Sequence, residues 1–183
     1  QTSWKVRFID YPAQFQKMES EIMETVRSVL SGGDLILRQH LRDFEKNLAD
    51  FVGTRFAVGL GNCTDALHLS LRAAGIEAGD EVITTSHTFV ATAAAIHHAG
   101  ATPVFADIDE DHNMNVNLLE KAVTSRTRAI LPVHLNGRLC DMERIMAIAK
   151  KKGLLVIEDS AQALGASFNK KRGGSFGLAG CFS

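Results

Sequence analysis

Cysteine is scarce and odd in number: Cys63, Cys140 and Cys181 stand far apart in no CxxC or zinc-ligand spacing. A disulfide framework and a metal site are therefore not expected, and a reducing, cytoplasmic setting fits. A charge excess of one sign is lacking too. The formal net charge is -1, and no charge block exceeds Lys150-Lys151-Lys152, so there is no basic field for nucleic acid or an anionic membrane. Long apolar runs are missing, as is a basic N-terminal stretch followed by an apolar core; neither a membrane span nor an export signal is read. Repeats and low-complexity segments are likewise absent. What remains, 183 residues with 45% hydrophobic and 22% charged, is enough for one sizeable core, with small molecules or other subunits as the expected partners.

Periodicity organises the chain. Phe15, Met18, Ile22, Val26, Val29 and Leu30 fall near helical spacing before a Gly32-Gly33-Asp34 stop. Leu41, Phe44, Leu48, Phe51 and Val52 form a second stripe ended by Gly53. Residues 1–53 thus read as N-terminal helices that pack on the sheet or on a partner subunit. Over 54–183 strands and helices alternate: strands at 56–60, 82–85, 104–108, 129–134 and 154–158, with helices at 62–74, 89–98, 116–123 and 142–152. That order predicts an α/β domain, a mostly parallel sheet with helices on both faces. Asn117 with Glu120 suggests a capping box, Asp141 an N-cap, and Gly153 a helix end. Pro132 implies that pairing stops or changes within its strand. Residues 163–168 read as a further strand, 169–174 as a polar turn, and 178–183 as the start of an apolar segment.

The stretch Leu154-Leu155-Val156-Ile157-Glu158-Asp159-Ser160-Ala161-Gln162 is a buried strand that breaks into polar residues at its C-terminal end, where open α/β sheets hold ligands. The same edge collects Gly59-Leu60-Gly61-Asn62-Cys63-Thr64, His87-Thr88-Phe89, Asp107, Asp109 and His134. The glycine-containing turn at 59–64 either cradles a phosphate at a helix N-terminus or is a plain helix cap with Asn62 or Thr64 as the capping residue. A dinucleotide fingerprint fits it poorly, because Thr64 takes the third glycine position and Asp80 and Glu81 precede the second strand. Phe89 either lies flat on a planar ligand or is core; His87 and His134 are candidate site residues, whereas His97 and His98 read as structural. Neighbouring strand residues point to opposite faces, so one acid of Glu158-Asp159 meets the ligand, and no metal is expected. Asp159 suits a protonated aromatic nitrogen, whose cationic form a carboxylate favours. Phosphate cradle, stacking aromatic and carboxylate together match pyridoxal phosphate.

In Gly61-Asn62-Cys63-Thr64-Asp65-Ala66-Leu67, Thr88-Phe89-Val90-Ala91-Thr92, Pro103-Val104-Phe105-Ala106-Asp107-Ile108, Val133-His134-Leu135, Ile157-Glu158-Asp159-Ser160-Ala161-Gln162 and Cys181-Phe182-Ser183, the chain resembles the N-terminal part of the DegT/DnrJ/EryC1/StrS family of pyridoxal-phosphate-dependent sugar aminotransferases. The resemblance implies the large domain of the aspartate-aminotransferase fold, type I. It also implies that Cys63, Thr64 and Ser183 hold the cofactor phosphate, Phe89 stacks on the ring, Asp159 holds the ring nitrogen and Gln162 lies near the ring. Cys63 stands where the family more often has glycine, and Asn136 replaces a usual tyrosine. The Schiff-base lysine of the family falls beyond the match to Ser183, and Lys150, Lys151, Lys152, Lys170 and Lys171 do not occupy its position. These residues alone are therefore not expected to be active.

The implied reaction moves an amino group from an amino-acid donor such as glutamate to a ketosugar carried on a nucleotide, in a homodimer with active sites at the subunit interface. Two alternatives stand beside it: a ketosugar dehydratase of the same family, and a catalytically inactive relative that serves as regulator or scaffold.

Overall fold

The computed structural model describes residues 8–33 and 35–183, and its contacts divide into two compact units, Gln1–Phe44 and Glu45–Ser183. The first unit carries α1 (Tyr11–Gly32) and the opening turns of α2 (Gln39–Val52). The Asp10 carboxylate accepts from the Ala13 N–H at 3.2 Å, and Pro12 sits in the first turn, where a missing N–H costs nothing. These signals precede Phe15, so α1 starts ahead of the predicted apolar stripe. Gly33, at φ 69°, ends it, and Asp34 lies outside the described residues.

The second unit takes the last turns of α2, in which Ala49 and Val52 are buried. It continues through α3 (Cys63–Ala73), β1 (Glu81–Thr85), α4 (Ala91–His98), β2 (Thr102–Ala106), α5 (Val116–Ala122), β3 (Thr127–Ile130), α6 (Met142–Lys152), β4 (Leu155–Asp159), β5 (Ser167–Phe168), β6 (Lys171–Arg172) and β7 (Ala179–Cys181). Five strands form one sheet in the order β2-β1-β3-β4-β7, every neighbouring pair parallel. Strand alternation sorts its side chains into two cores. Val82, Ala129, Leu131 and Ile157 join Leu67 and Leu71 of α3 and Ile96 of α4; Ile83, Ile130 and Val156 join Leu119 of α5 and Ile145 of α6. The result is the three-layer α/β arrangement that the alternating pattern predicts. Each fully buried Leu or Ile contributes about 2 kcal/mol relative to an exposed one.

Four local expectations need correction. Residues 56–60 form no ladder: among the described residues none of them pairs with a strand, and Phe56 and Val58 remain exposed. The strand predicted at 129–134 ends at Ile130, because Pro132 has no N–H to give; its carbonyl instead accepts from the Asp159 N–H at 2.9 Å. Of residues 163–168 only Ser167 and Phe168 pair, in a hairpin with Lys171 and Arg172 whose turn residues Asn169 and Lys170 both have positive φ. The cap of α5 is Asn115, which accepts from the Asn117 N–H, while Asn117 accepts from Arg144 and Glu120 pairs with Lys151, so the Asn117–Glu120 capping box does not form.

Glu81 opens β1 almost fully buried, bonded to the Thr124 hydroxyl, the Arg126 guanidinium and the Thr127 hydroxyl. Thr124 above all, then Arg126, hold its carboxyl below the ordinary 4.5, against burial, which pushes the other way. A depressed carboxylate stabilises the fold above its unfolded value and loses that effect as the pH drops through its lower folded value. The melting-temperature gap between wild type and Glu81→Gln is therefore expected to be widest near neutrality and to narrow as acidification passes below 4.5. A gap independent of pH would contradict this.

Candidate functional site

The C-terminal ends of β1 and β4 and the N-terminal end of α3 surround a cavity of about 150 Å³. Asn62, Cys63, Thr64 and Leu67 line it from α3 and its cap, Thr88, Phe89 and Ala91 from the β1–α4 junction, and Val133, Asp159, Ala161, Gln162 and Ser183 from the remaining side. A larger groove of about 570 Å³ runs between α6 and residues 154–156 and shares no residue with it. That groove is apolar apart from Glu143 and Lys150, so the convergent polar groups lie in the smaller cavity.

Asp159 is the charged centre of the cavity, only 6% exposed. Its backbone is clamped on both sides: the N–H donates to Pro132 O at 2.9 Å, and the carbonyl accepts from the His134 N–H at 3.0 Å. The shift in pairing at Pro132 thus fixes the residue that carries the charge. Its side chain accepts from the Thr92 hydroxyl at 2.8 Å on Oδ2 and from the Ala161 N–H at 3.2 Å on Oδ1. Both donors are neutral, so they orient the carboxylate without cancelling its charge. Thr92 in turn lies 2.8 Å from the Thr88 hydroxyl, which reaches the cavity wall. Sequence reading missed this hydroxyl chain. The usable signal was the spacing of Thr88 and Thr92, four residues apart at the start of a helix and hence on one face.

At the opposite wall Asn62 caps α3, its side chain accepting from the Asp65 N–H at 2.9 Å. The amides of Cys63 and Thr64 belong to the first turn, which has no intrahelical acceptor, and the helix dipole adds positive potential there. Capping by Asn62 takes the Asp65 amide and so leaves those of Cys63 and Thr64 open toward the cavity. The Cys63 thiol is buried, and burial first, then the Asp159 charge and Cys181, push it up to about 12. It is a neutral, small side chain and no nucleophile.

Phe89 is 69% exposed, which excludes the core alternative and leaves its ring at the cavity wall. Gln162 lines the cavity while its Oε1 accepts from the Asn136 N–H at 2.8 Å. Ser183 closes the circle beside them. The two histidine candidates are not brought here. His87 turns outward to His112, with ring centroids 5.6 Å apart, and His134 is fully buried against Glu158, its Nε2 3.0 Å from Oε2. Alternation along β4 explains the latter: Glu158 points away from the face that Asp159 takes. His97 and His98 are exposed on α4, Asp107 and Asp109 accept from the next residues' amides in turns, and among the described residues no acidic or histidine cluster could hold a metal.

Over residues 16–183 the sequence matches the profile of the DegT/DnrJ/EryC1/StrS aminotransferase family. A UDP-N-acetyl-3-dehydro-alpha-D-glucosamine 3-aminotransferase of Acidithiobacillus ferrooxidans is 46% identical over 179 residues, 97% of this chain and 48% of that protein. A pleiotropic regulatory protein of Geobacillus stearothermophilus is 45% identical over the same span, again 48% of its own length. The crystal structure of a DegT DnrJ EryC1 StrS aminotransferase from Brucella abortus superposes with a TM-score of 0.93 at 38% identity, covering 97% of this chain and 50% of that one. The chain spans about half the length of the relatives it matches.

With the thiol held at about 12, iodoacetamide at roughly pH 8 is expected to leave Cys63 unlabelled in the folded protein and to label it in urea, as read by mass spectrometry. Asp159→Asn removes the second cause of the shift and not the first, so Cys63 should stay unreactive in that variant as well. Rapid labelling of the folded wild type would refute the assignment of a neutral, shielded thiol.

Proposed function

The chain belongs to the DegT/DnrJ/EryC1/StrS aminotransferase family, and from that premise we propose that it carries the pyridoxal-phosphate half-site of an aminotransferase acting on nucleotide-linked ketosugars. The observation that carries the reading is Asp159, an almost fully buried carboxylate whose recorded donors are two neutral groups and which faces a helix N-terminus across a small cavity. Such a carboxylate calls for a cationic partner from the ligand.

The donor set fits the cofactor. The free amides of Cys63 and Thr64, with the Thr64 and Ser183 hydroxyls, suit a phosphate; Phe89 offers an open aromatic face; Asp159 suits a ring N–H; and Gln162 adds an amide to the same lining. When bound, pyridoxal phosphate supplies an electron sink for the pair left behind as a proton leaves the carbon next to an amine. Asp159 holds the proton on the ring nitrogen that makes the sink effective, and the Thr88–Thr92 hydroxyl chain keeps the carboxylate aimed. Cys63, neutral and small, narrows the wall without competing for the phosphate.

No lysine lines the cavity among the described residues. Lys150, Lys151, Lys152, Lys170 and Lys171 all lie outside this lining. Glutamate is the proposed amino donor, a sugar nucleotide the proposed acceptor, and a homodimer the proposed assembly, each by likeness to the family. Similarity to a pleiotropic regulatory protein keeps a second reading in view, a regulator on the same fold.

Titration of the complete polypeptide with pyridoxal phosphate should produce the absorbance band of the bound cofactor. Asp159→Ala is expected to weaken that band and to lower amino transfer by about a hundredfold or more. Thr92→Val should move both in the same direction by less, with Thr92→Ser restoring them. Undiminished cofactor binding and activity in Asp159→Ala would sink the assignment, and a wild-type protein that binds no cofactor would favour the regulatory reading.

A further inference from the structure

Resting on that reading of the cavity, we propose that Glu158 and His134 are positioning residues that tie the loop at 173–177 to the end of β4 and so set where Ser183 stands at the phosphate end of the site. The argument begins with a carboxylate removed from water. Glu158 is completely buried, and four donors meet it: Oε2 accepts from His134 Nε2 at 3.0 Å and from the Gly174 N–H at 2.8 Å, Oε1 from the Phe176 N–H at 2.7 Å and the Gly177 N–H at 2.8 Å. Three of the four come from one loop. His134 is itself oriented, since its Nδ1 accepts from the Cys140 N–H at 3.3 Å, which leaves Nε2 as the protonated nitrogen and the donor to Glu158.

The loop passes its position on to Ser183 through contacts with no slack. The Leu178 N–H donates to Val156 O at 2.7 Å, β7 pairs with β4 through Asp159 and Cys181, and the Ser160 N–H donates to Cys181 O at 2.8 Å. A Cβ at Gly174 would lie 2.3 Å from the Phe182 ring, one at Gly180 would lie 2.3 Å from the Gly174 backbone, and one at Gly177 would lie 2.3 Å from Val156 O. Gly174 also has φ 84°, a conformation that side chains disfavour. Residues 174–182 therefore close on themselves, with Glu158 gripping one side and the Phe182 ring seated on the other. Ser183 is the next residue and lines the cavity.

Glutamine at 158 keeps the shape but presents an NH2 to one pair of donors, His134 and Gly174 or Phe176 and Gly177, so the grip on the loop is broken at one oxygen. The measurement is selectivity for the phosphate: the ratio of the dissociation constants of pyridoxal and pyridoxal phosphate for the complete polypeptide. In Glu158→Gln this ratio should fall by about tenfold, the consequence of misplacing one phosphate donor. Phe182→Leu, which leaves all four bonds to Glu158 in place and loosens the opposite side of the loop, should lower it in the same direction. Asp159→Asn should weaken both ligands alike and leave the ratio unchanged. A purely structural role for Glu158 would lower the melting temperature with the ratio intact, and an unchanged ratio in folded Glu158→Gln overturns the proposal, as does an unchanged ratio in Phe182→Leu should Glu158→Gln not fold. If wild type binds neither ligand, the cavity reading itself fails, and this inference with it.

Discussion

Two adjacent carboxylates leave water at the end of β4, and much of the surrounding structure consists of the donors they require. An unpaired buried charge costs several kcal/mol, so each must be answered by well-placed hydrogen bonds or by a cation. Glu158 is answered entirely from within, by His134 and three loop amides. Asp159 is answered only in part, by a hydroxyl and an amide, and it faces a cavity. The difference between a saturated and an unsaturated carboxylate separates scaffold from site at neighbouring positions.

The sheet makes that separation possible. A pleated strand sends successive side chains to opposite sides, and the parallel order β2-β1-β3-β4-β7 gathers the C-terminal strand ends along one edge. Thr88 and Phe89 after β1, Asp159 at the end of β4 and Ser183 after β7 meet there although they are far apart in the chain. Helix α3 contributes its N-terminal end because Leu67 and Leu71 anchor it on the core shared with Val82, Leu131 and Ile157. Its first amides are delivered to the cavity by the burial of residues a turn or two further on.

Legibility in the sequence followed the range of the interaction. Helix α6 begins and ends as Asp141, the lysine run and Gly153 foretell, because caps and charges act within a turn. The parallel sheet was readable from alternating apolar segments, and Asp159 from the break at the end of its strand. What was misread depends on partners remote in sequence. Residues 56–60 have the composition of a strand but pair with none among the described residues, and His134 has the position of a ligand contact but a buried carboxylate to meet. The spacing of Thr88 and Thr92 puts the two hydroxyls together, but that Thr92 meets Asp159 depends on a residue 67 positions away. For Phe89 the sequence allows core or cavity wall, and its exposure sets the core reading aside.

The clamp on the Asp159 backbone has an evolutionary side. Its N–H and carbonyl are both engaged by residues 132–134, so the charge is held from beneath. Exposed groups outside the cavity lining, such as Val90 and Leu164, stand nearby on loops and helix starts, where exchange disturbs no ladder. Substitution can therefore explore new ligand shapes at the rim while the charge beneath keeps its place. A fold divided in this way is suited to diversify by drift at its mouth, with the electrostatic foundation inherited intact.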